Sequence, residues 1–183
     1  ISIQPPETSN PTIITEPSSC SLNEIINPSV LSVVVTSTIE SMSGSSPRVN
    51  WNPATSIGLF NAIKSTHNFI GGSSEIKNIH VAISGVGKVG GKLAKLLHNA
   101  GAKITAASIN KELIDELKKE IKITEVSPQK LFTTSCDIIS PCALGGSINK
   151  TNKNQLTCKA IVGAANNQLD KTETAEWLFK NKI

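Results

Sequence analysis

Three glycines raise the first chemical question. Gly85, Gly87 and Gly90 stand in the run Gly85-Val86-Gly87-Lys88-Val89-Gly90, which has the spacing G-x-G-x-x-G. Two adjacent phosphates can be held by the positive N-terminal end of a helix and its free backbone N–H groups, provided that no side chain blocks the approach. On that reading Gly85 permits a tight turn out of a strand and Gly87 leaves room for a pyrophosphate. Gly90 lets the following helix pack closely, and Val86, Lys88 and Val89 supply the intervening backbone. The same spacing also occurs in turns that bind nothing. Here it follows an apolar run, opens an amphipathic one and precedes a second strand at the right distance. That context points to a dinucleotide, NAD or NADP.

A second position bears on which dinucleotide. Ser108 ends the second strand, where an Asp or Glu ordinarily grips the adenosine ribose. A serine there gives up a charge-assisted hydrogen bond of roughly 1.5–3 kcal/mol. It also removes the repulsion that would exclude a 2′-phosphate. Two readings stand side by side. Ser108, Asn110 and Lys111 together donate to a 2′-phosphate, or the ribose site has simply been lost.

The elements that must position these residues alternate along the chain. Residues 54–69 read as a helix with Ile57, Phe60, Ile63 and Phe69 near helical spacing, closed by Gly71 and Gly72. Strands are expected at 79–84, 103–108, 137–140 and 160–163. Helices are expected at 88–100 (with Leu93, Leu96 and Leu97 inward), 111–119 and 172–179. This alternation implies βαβ units and right-handed crossovers. The fold class is therefore α/β, a Rossmann-like doubly wound sheet of about five mainly parallel strands with helices on both faces. Residues 30–35 could add a strand, and 41–53 read as a loop. Residues 1–29, rich in Pro, Ser, Thr and Asn, read as a poorly ordered arm or the remnant of a preceding domain, with one helical turn at 21–24. Residues 30–183 form the dinucleotide-binding domain.

Composition excludes several alternatives. The 183 residues suffice for one domain with a core, and a net charge of +4 is mild. Four Phe, two Trp and no Tyr leave no basic patch interleaved with aromatics, so nucleic acid is not an expected partner. The longest apolar run, 30–39, is too short to span a bilayer, and no membrane partner is expected. The spacing of Cys20, Cys136, Cys142 and Cys158, with three isolated histidines, repeats no metal-ligand pattern. These read as free thiols, which suits a reducing cytoplasm.

Four segments taken together resemble one family: NPATSIGLFNAIKSTHNF (52–69), GVGKVGGKLAKLLHNAGAKI (85–104), CDIISPCALGGSIN (136–149) and AIVGAANNQLD (160–170). From about Gly44 to the last residue the chain is similar to the nucleotide-binding domain of the glutamate/leucine/phenylalanine/valine dehydrogenases, nearest the leucine and tryptophan branch. The resemblance implies oxidative deamination of an L-amino acid, with hydride transfer to nicotinamide. It implies that Thr55 lies near the nicotinamide amide and that Pro141, Cys142 and Ala143 lie beneath the nicotinamide ribose. Ala164, Ala165 and Asn166 would contact the nicotinamide end, with Asn167 beside them.

The chain also departs from that pattern. The family's catalytic lysines belong to glycine-rich segments unlike anything before residue 30. The stretch Glu16-Pro17-Ser18-Ser19-Cys20 carries no Asp where the family's catalytic one is expected. The last residues precede the family's asparagine- and glycine-bearing motif. No catalytic residue is therefore assigned. The expectation is a truncated cofactor domain that is inactive alone, meets an amino acid only together with the missing domain, and could form a homo-oligomer. A degenerate, non-catalytic relative acting through partners is the alternative, and an inert domain used for association is a third.

Overall fold

A computed structural model describes residues 33–34, 52–71, 73 and 75–183. The strands are β1 (Val33–Val34), β2 (His80–Ser84), β3 (Lys103–Ala107), β4 (Thr124–Glu125), β5 (Ile138–Pro141) and β6 (Ala160–Gly163). The helices are α1 (Asn52–Phe69), α2 (Lys88–Asn99), α3 (Lys111–Glu120), α4 (Pro128–Leu131) and α5 (Thr172–Lys180), with a short 3-10 turn at Lys153–Gln155. The sheet order is β1-β6-β5-β2-β3-β4 and every pairing is parallel. The fold is the doubly wound α/β sheet that the alternation implies.

Burial explains why the inner strands are near-continuous apolar runs. β5 and β6 are buried throughout, β3 at all but its first residue, and β2 at its three middle residues. A parallel strand covered on both faces has no solvent side to favour alternation. The alternation appears instead in which core each residue joins. Val81, Ile83, Ile104, Ile138, Ala160 and Val162 pack with Leu59, Leu93, Leu97 and Ile114, under α1, α2 and α3. Ala82, Ile139 and Ile161 point the other way, toward Leu131 and Leu178 of α4 and α5.

Several expectations need correction. The sheet has six strands rather than about five, because β4 supplies an edge of two residues that the sequence pattern does not mark. β1 covers only two residues of the expected 30–35. α1 begins at Asn52, so the expected loop at 41–53 yields its last two residues to the helix. Its inward stripe is Ser56, Leu59, Ile63 and Thr66, whereas Ile57 and Phe69 are 53% and 42% exposed. Small polar side chains on that stripe let α1 lie close to α2, and the Ser56 hydroxyl donates to the Val89 carbonyl at 3.2 Å. Leu96 is only half-buried, while Leu93 and Leu97 are fully inside. The arm 1–29 and the turn at 21–24 lie outside the described residues.

Candidate functional site

The strand order reverses between β2 and β5, so the crevice of this sheet opens at their carboxyl ends. The glycine turn leaves β2 there, and Pro141-Cys142-Ala143 leaves β5 beside it. Backbone bonds lock the two together. The Cys142 N–H donates to the Ser84 carbonyl at 2.8 Å, and the Gly85 N–H donates to the Ala107 carbonyl at 2.8 Å.

The three glycines have different physical reasons. Gly85 has φ +93°, and a Cβ there would stand 2.8 Å from the Ala143 Cβ. A Cβ on Gly90 would fall 1.9 Å from the Gly85 carbonyl oxygen and 3.1 Å from the Cys142 Cβ. Packing inside the protein thus accounts for both. Gly87 is exposed, with φ −68° and ψ −158°, and a Cβ there would meet nothing within 4 Å. The φ is one that L-residues adopt, and no clash among the described residues asks for a glycine.

Gly87 also caps α2 without a side-chain hydrogen bond, and the first turn of that helix holds no acidic residue. The contrast is α3, whose cap Asn110 accepts from the Glu112 and Leu113 N–H groups at 2.9 and 3.3 Å, with Glu112 in the first turn. The α2 terminus therefore presents a positive dipole end that no cap side chain or first-turn acid among the described residues neutralises. Val86 is buried and anchors the turn, Val89 is half-buried, and Lys88 is exposed at its rim. The Ser56–Val89 bond brings the first turn of α1, with Thr55, alongside.

The loops after β5 and β6 are held to each other. The Pro141 carbonyl accepts from the Ala164 and Ala165 N–H groups at 2.9 and 3.0 Å, and the Gly146 N–H donates to the Asn167 carbonyl at 2.7 Å. Asn167 takes φ +49° to do so. A Cβ on Gly145 would stand 2.4 Å from the Asn166 carbonyl oxygen, and one on Gly163 would stand 2.4 Å from that of Pro141. The sequence reading missed both glycines, because only the loop-to-loop contact reveals their role. Ala143 and Asn166 are exposed at the mouth, Ala164 is half-buried, and Ala165 is buried. The Cys142 Sγ lies 3.6 Å from the Ser140 hydroxyl, and burial raises its pKa above the ordinary thiol value. Such a thiol packs rather than reacts.

At the end of β3 the expected trio comes together, but not as three free donors. The Ser108 hydroxyl accepts from the Asn110 N–H at 3.2 Å, and the Asn110 side-chain carbonyl is used to cap α3. Lys111 donates to both Glu125 oxygens at 2.8 Å and stands 3.3 Å from Asp115. The bond to Glu125 holds the Lys111 pKa above its usual value, and the bonds from Lys111 and then Lys118 hold the Glu125 carboxyl below its own. Ile109, beside them, is 93% exposed. Glu125 was not legible beforehand, since β4, which carries it, left no pattern.

The sequence profile described as Glutamate/Leucine/Phenylalanine/Valine dehydrogenase matches residues 44–114 and 108–183. The chain belongs to this family. A leucine dehydrogenase of Thermoactinomyces intermedius is 38% identical over 134 residues, which is 73% of this chain and 37% of that protein. A phenylalanine dehydrogenase of the same organism is 39% identical, over 70% of this chain and 36% of its own length. The solved L-tryptophan dehydrogenase of Nostoc punctiforme superposes with a TM-score of 0.70 at 32% identity, over 72% of this chain and 40% of that one. The chain thus spans little more than a third of the length of these relatives. Hetero-hexameric glutamate dehydrogenase of Thermus thermophilus, at 17% identity and a TM-score of 0.57, shares the fold. Among the described residues no helix is long and apolar enough to cross a membrane.

Proposed function

We propose that this chain binds a nicotinamide dinucleotide, NAD or NADP, across the β2–β5 crevice and serves the oxidative deamination of an L-amino acid. Gly87 carries the reading. Its two partner glycines are required by internal packing, whereas at Gly87 a Cβ would meet nothing among the described residues, and the space lies at a helix terminus without a side-chain cap. Such space suits a pyrophosphate. The leucine, phenylalanine and tryptophan dehydrogenases to which the chain is similar support the amino-acid class.

When bound, the cofactor supplies the hydride acceptor. In this reading the backbone of residues 85–90 holds the pyrophosphate, and the α2 dipole offsets its charge. Pro141, Cys142 and Ala143 form a wall at the nicotinamide ribose, made firm by the bonds of Ala164 and Ala165 to the Pro141 carbonyl. Asn166 and Thr55 orient the nicotinamide end from either side. In this reading the described residues supply the cofactor half of the reaction. Residues 30–183 act as the cofactor domain, and pairing with further subunits belongs to the same proposal, as the hetero-hexameric relative suggests.

Ser108 puts no carboxylate at the end of β3 itself, and NADP is expected to bind at least as well as NAD. Ser108→Asp adds a ribose acceptor and a repulsion, together on the order of 2 kcal/mol, or about thirtyfold in the ratio of affinities. Calorimetric titration of both chains with both dinucleotides tests this. A reversal toward NAD in the variant supports the assignment. Strong NAD preference in the unmodified chain overturns the cofactor assignment, and failure to bind either dinucleotide overturns the proposal as a whole.

A further inference from the structure

We infer that Glu125 sets the cofactor preference of this chain by competing with a 2′-phosphate for Lys111. The inference rests on the dinucleotide reading above and adds a residue to it. Glu125 ends β4, in register with Ala106, two residues before Ser108 on the neighbouring strand. Both of its oxygens accept from the Lys111 ammonium at 2.8 Å, and Lys118 closes on the same carboxylate. Lys111 is the only cation of the Ser108–Asn110–Lys111 trio. A carboxylate that already satisfies it leaves a 2′-phosphate to exchange one anionic partner for another, with little net gain.

The ion pair therefore acts as a brake on NADP without being a determinant for NAD. A ribose bearing two hydroxyls asks nothing of Lys111, so its affinity is indifferent to the pair. Removing the carboxylate frees the ammonium and takes a negative charge away from the phosphate position, and both effects act in the same direction. Asp115, at 3.3 Å and on the same helix, remains a weaker partner and limits the size of the gain. Lys111 and Asp115 are mostly exposed and Glu125 about 29% so, and substitution at this surface cluster leaves the fold intact.

The test is the affinity for NADP and for NAD in the unmodified chain, Glu125→Gln, Glu125→Gln with Lys111→Gln, and Gly87→Val. Glu125→Gln is expected to tighten NADP about two- to fivefold, the range that exposed charge pairs supply, with NAD unchanged. Adding Lys111→Gln is expected to remove most of that gain, leaving only the relief of repulsion. An unchanged NADP to NAD ratio in Glu125→Gln, or a gain that keeps its full size without Lys111, overturns the inference. If Gly87→Val loses both dinucleotides while the ratio in Glu125→Gln stays fixed, the inference fails and the binding reading survives. If Gly87→Val binds both like the unmodified chain, the two fail together.

Discussion

Gly87→Val separates a ligand's demand for glycine from the protein's own. The φ of −68° is open to L-residues and a Cβ would meet nothing within 4 Å among the described residues, so the variant is expected to fold. Its stability is expected within about 0.5 kcal/mol of the parent, as for a surface substitution. Phosphate oxygens approach backbone N–H groups to about 2.9 Å, a distance that a valine side chain over the turn prevents. Losing two charge-assisted bonds of roughly 1.5–3 kcal/mol each costs about 3–6 kcal/mol, at least a hundredfold in Kd. Gly90→Ala is the contrasting variant. Its Cβ would stand 1.9 Å from the Gly85 carbonyl oxygen, so it should lower the melting temperature as well as weaken binding. Calorimetric titration paired with thermal denaturation reads both quantities. A Gly87→Val chain that melts like the parent and binds NADP with unchanged Kd would refute the reasoning.

Other outcomes follow from the same geometry. Asp137 accepts from the His80 N–H at 3.0 Å and pairs with Lys159 at 3.0 Å, at the amino ends of the strands, far from the crevice. Asp137→Ala should cost about 1–2 kcal/mol in denaturant unfolding and leave dinucleotide affinity unchanged. Burial alone would raise the Asp137 carboxyl, but the His80 N–H and Lys159 outweigh it and hold the pKa below 3.8. Its contribution is therefore present at neutral pH and is lost as pH falls through that depressed value, which acid titration of unfolding in parent and variant would show. Burial pushes the Cys136 and Cys158 thiols up to about 12 and about 11, from 9.0. In a Cys20→Ser chain, no thiol should react rapidly with a disulfide reagent at pH 8. The unfolded thiols ionise first, so stability should fall as pH rises above 9.0.

How much could be read beforehand depended on burial on two faces and on length. β2, β3, β5 and β6 announced themselves as apolar runs because both faces are covered, and the glycine spacing marked the turn between β2 and α2 where a pyrophosphate is proposed to sit. β4 and α4 have two and four residues, too few for any periodicity to show. The stripe of α1 was misjudged because its inward face mixes Ser56 and Thr66 with Leu59 and Ile63, leaving the larger Ile57 and Phe69 outward. Ser108, Asn110 and Lys111 were found as neighbours in sequence. Their commitments were not, because Glu125 reaches Lys111 only across the end of an unmarked strand.

The central claim is that the dinucleotide lies over the glycine turn at the β2–β5 crevice. The most direct measurement is an amide-resolved NMR titration of the labelled chain with NADP. The account predicts saturable shifts of the Val86–Gly90 amides together with those of Ala143, Ala164, Asn166 and Ser108, while Asp137 and His80 at the other end of the strands stay still. Shifts that miss residues 85–90, or that gather at the amino ends of the strands, would contradict it.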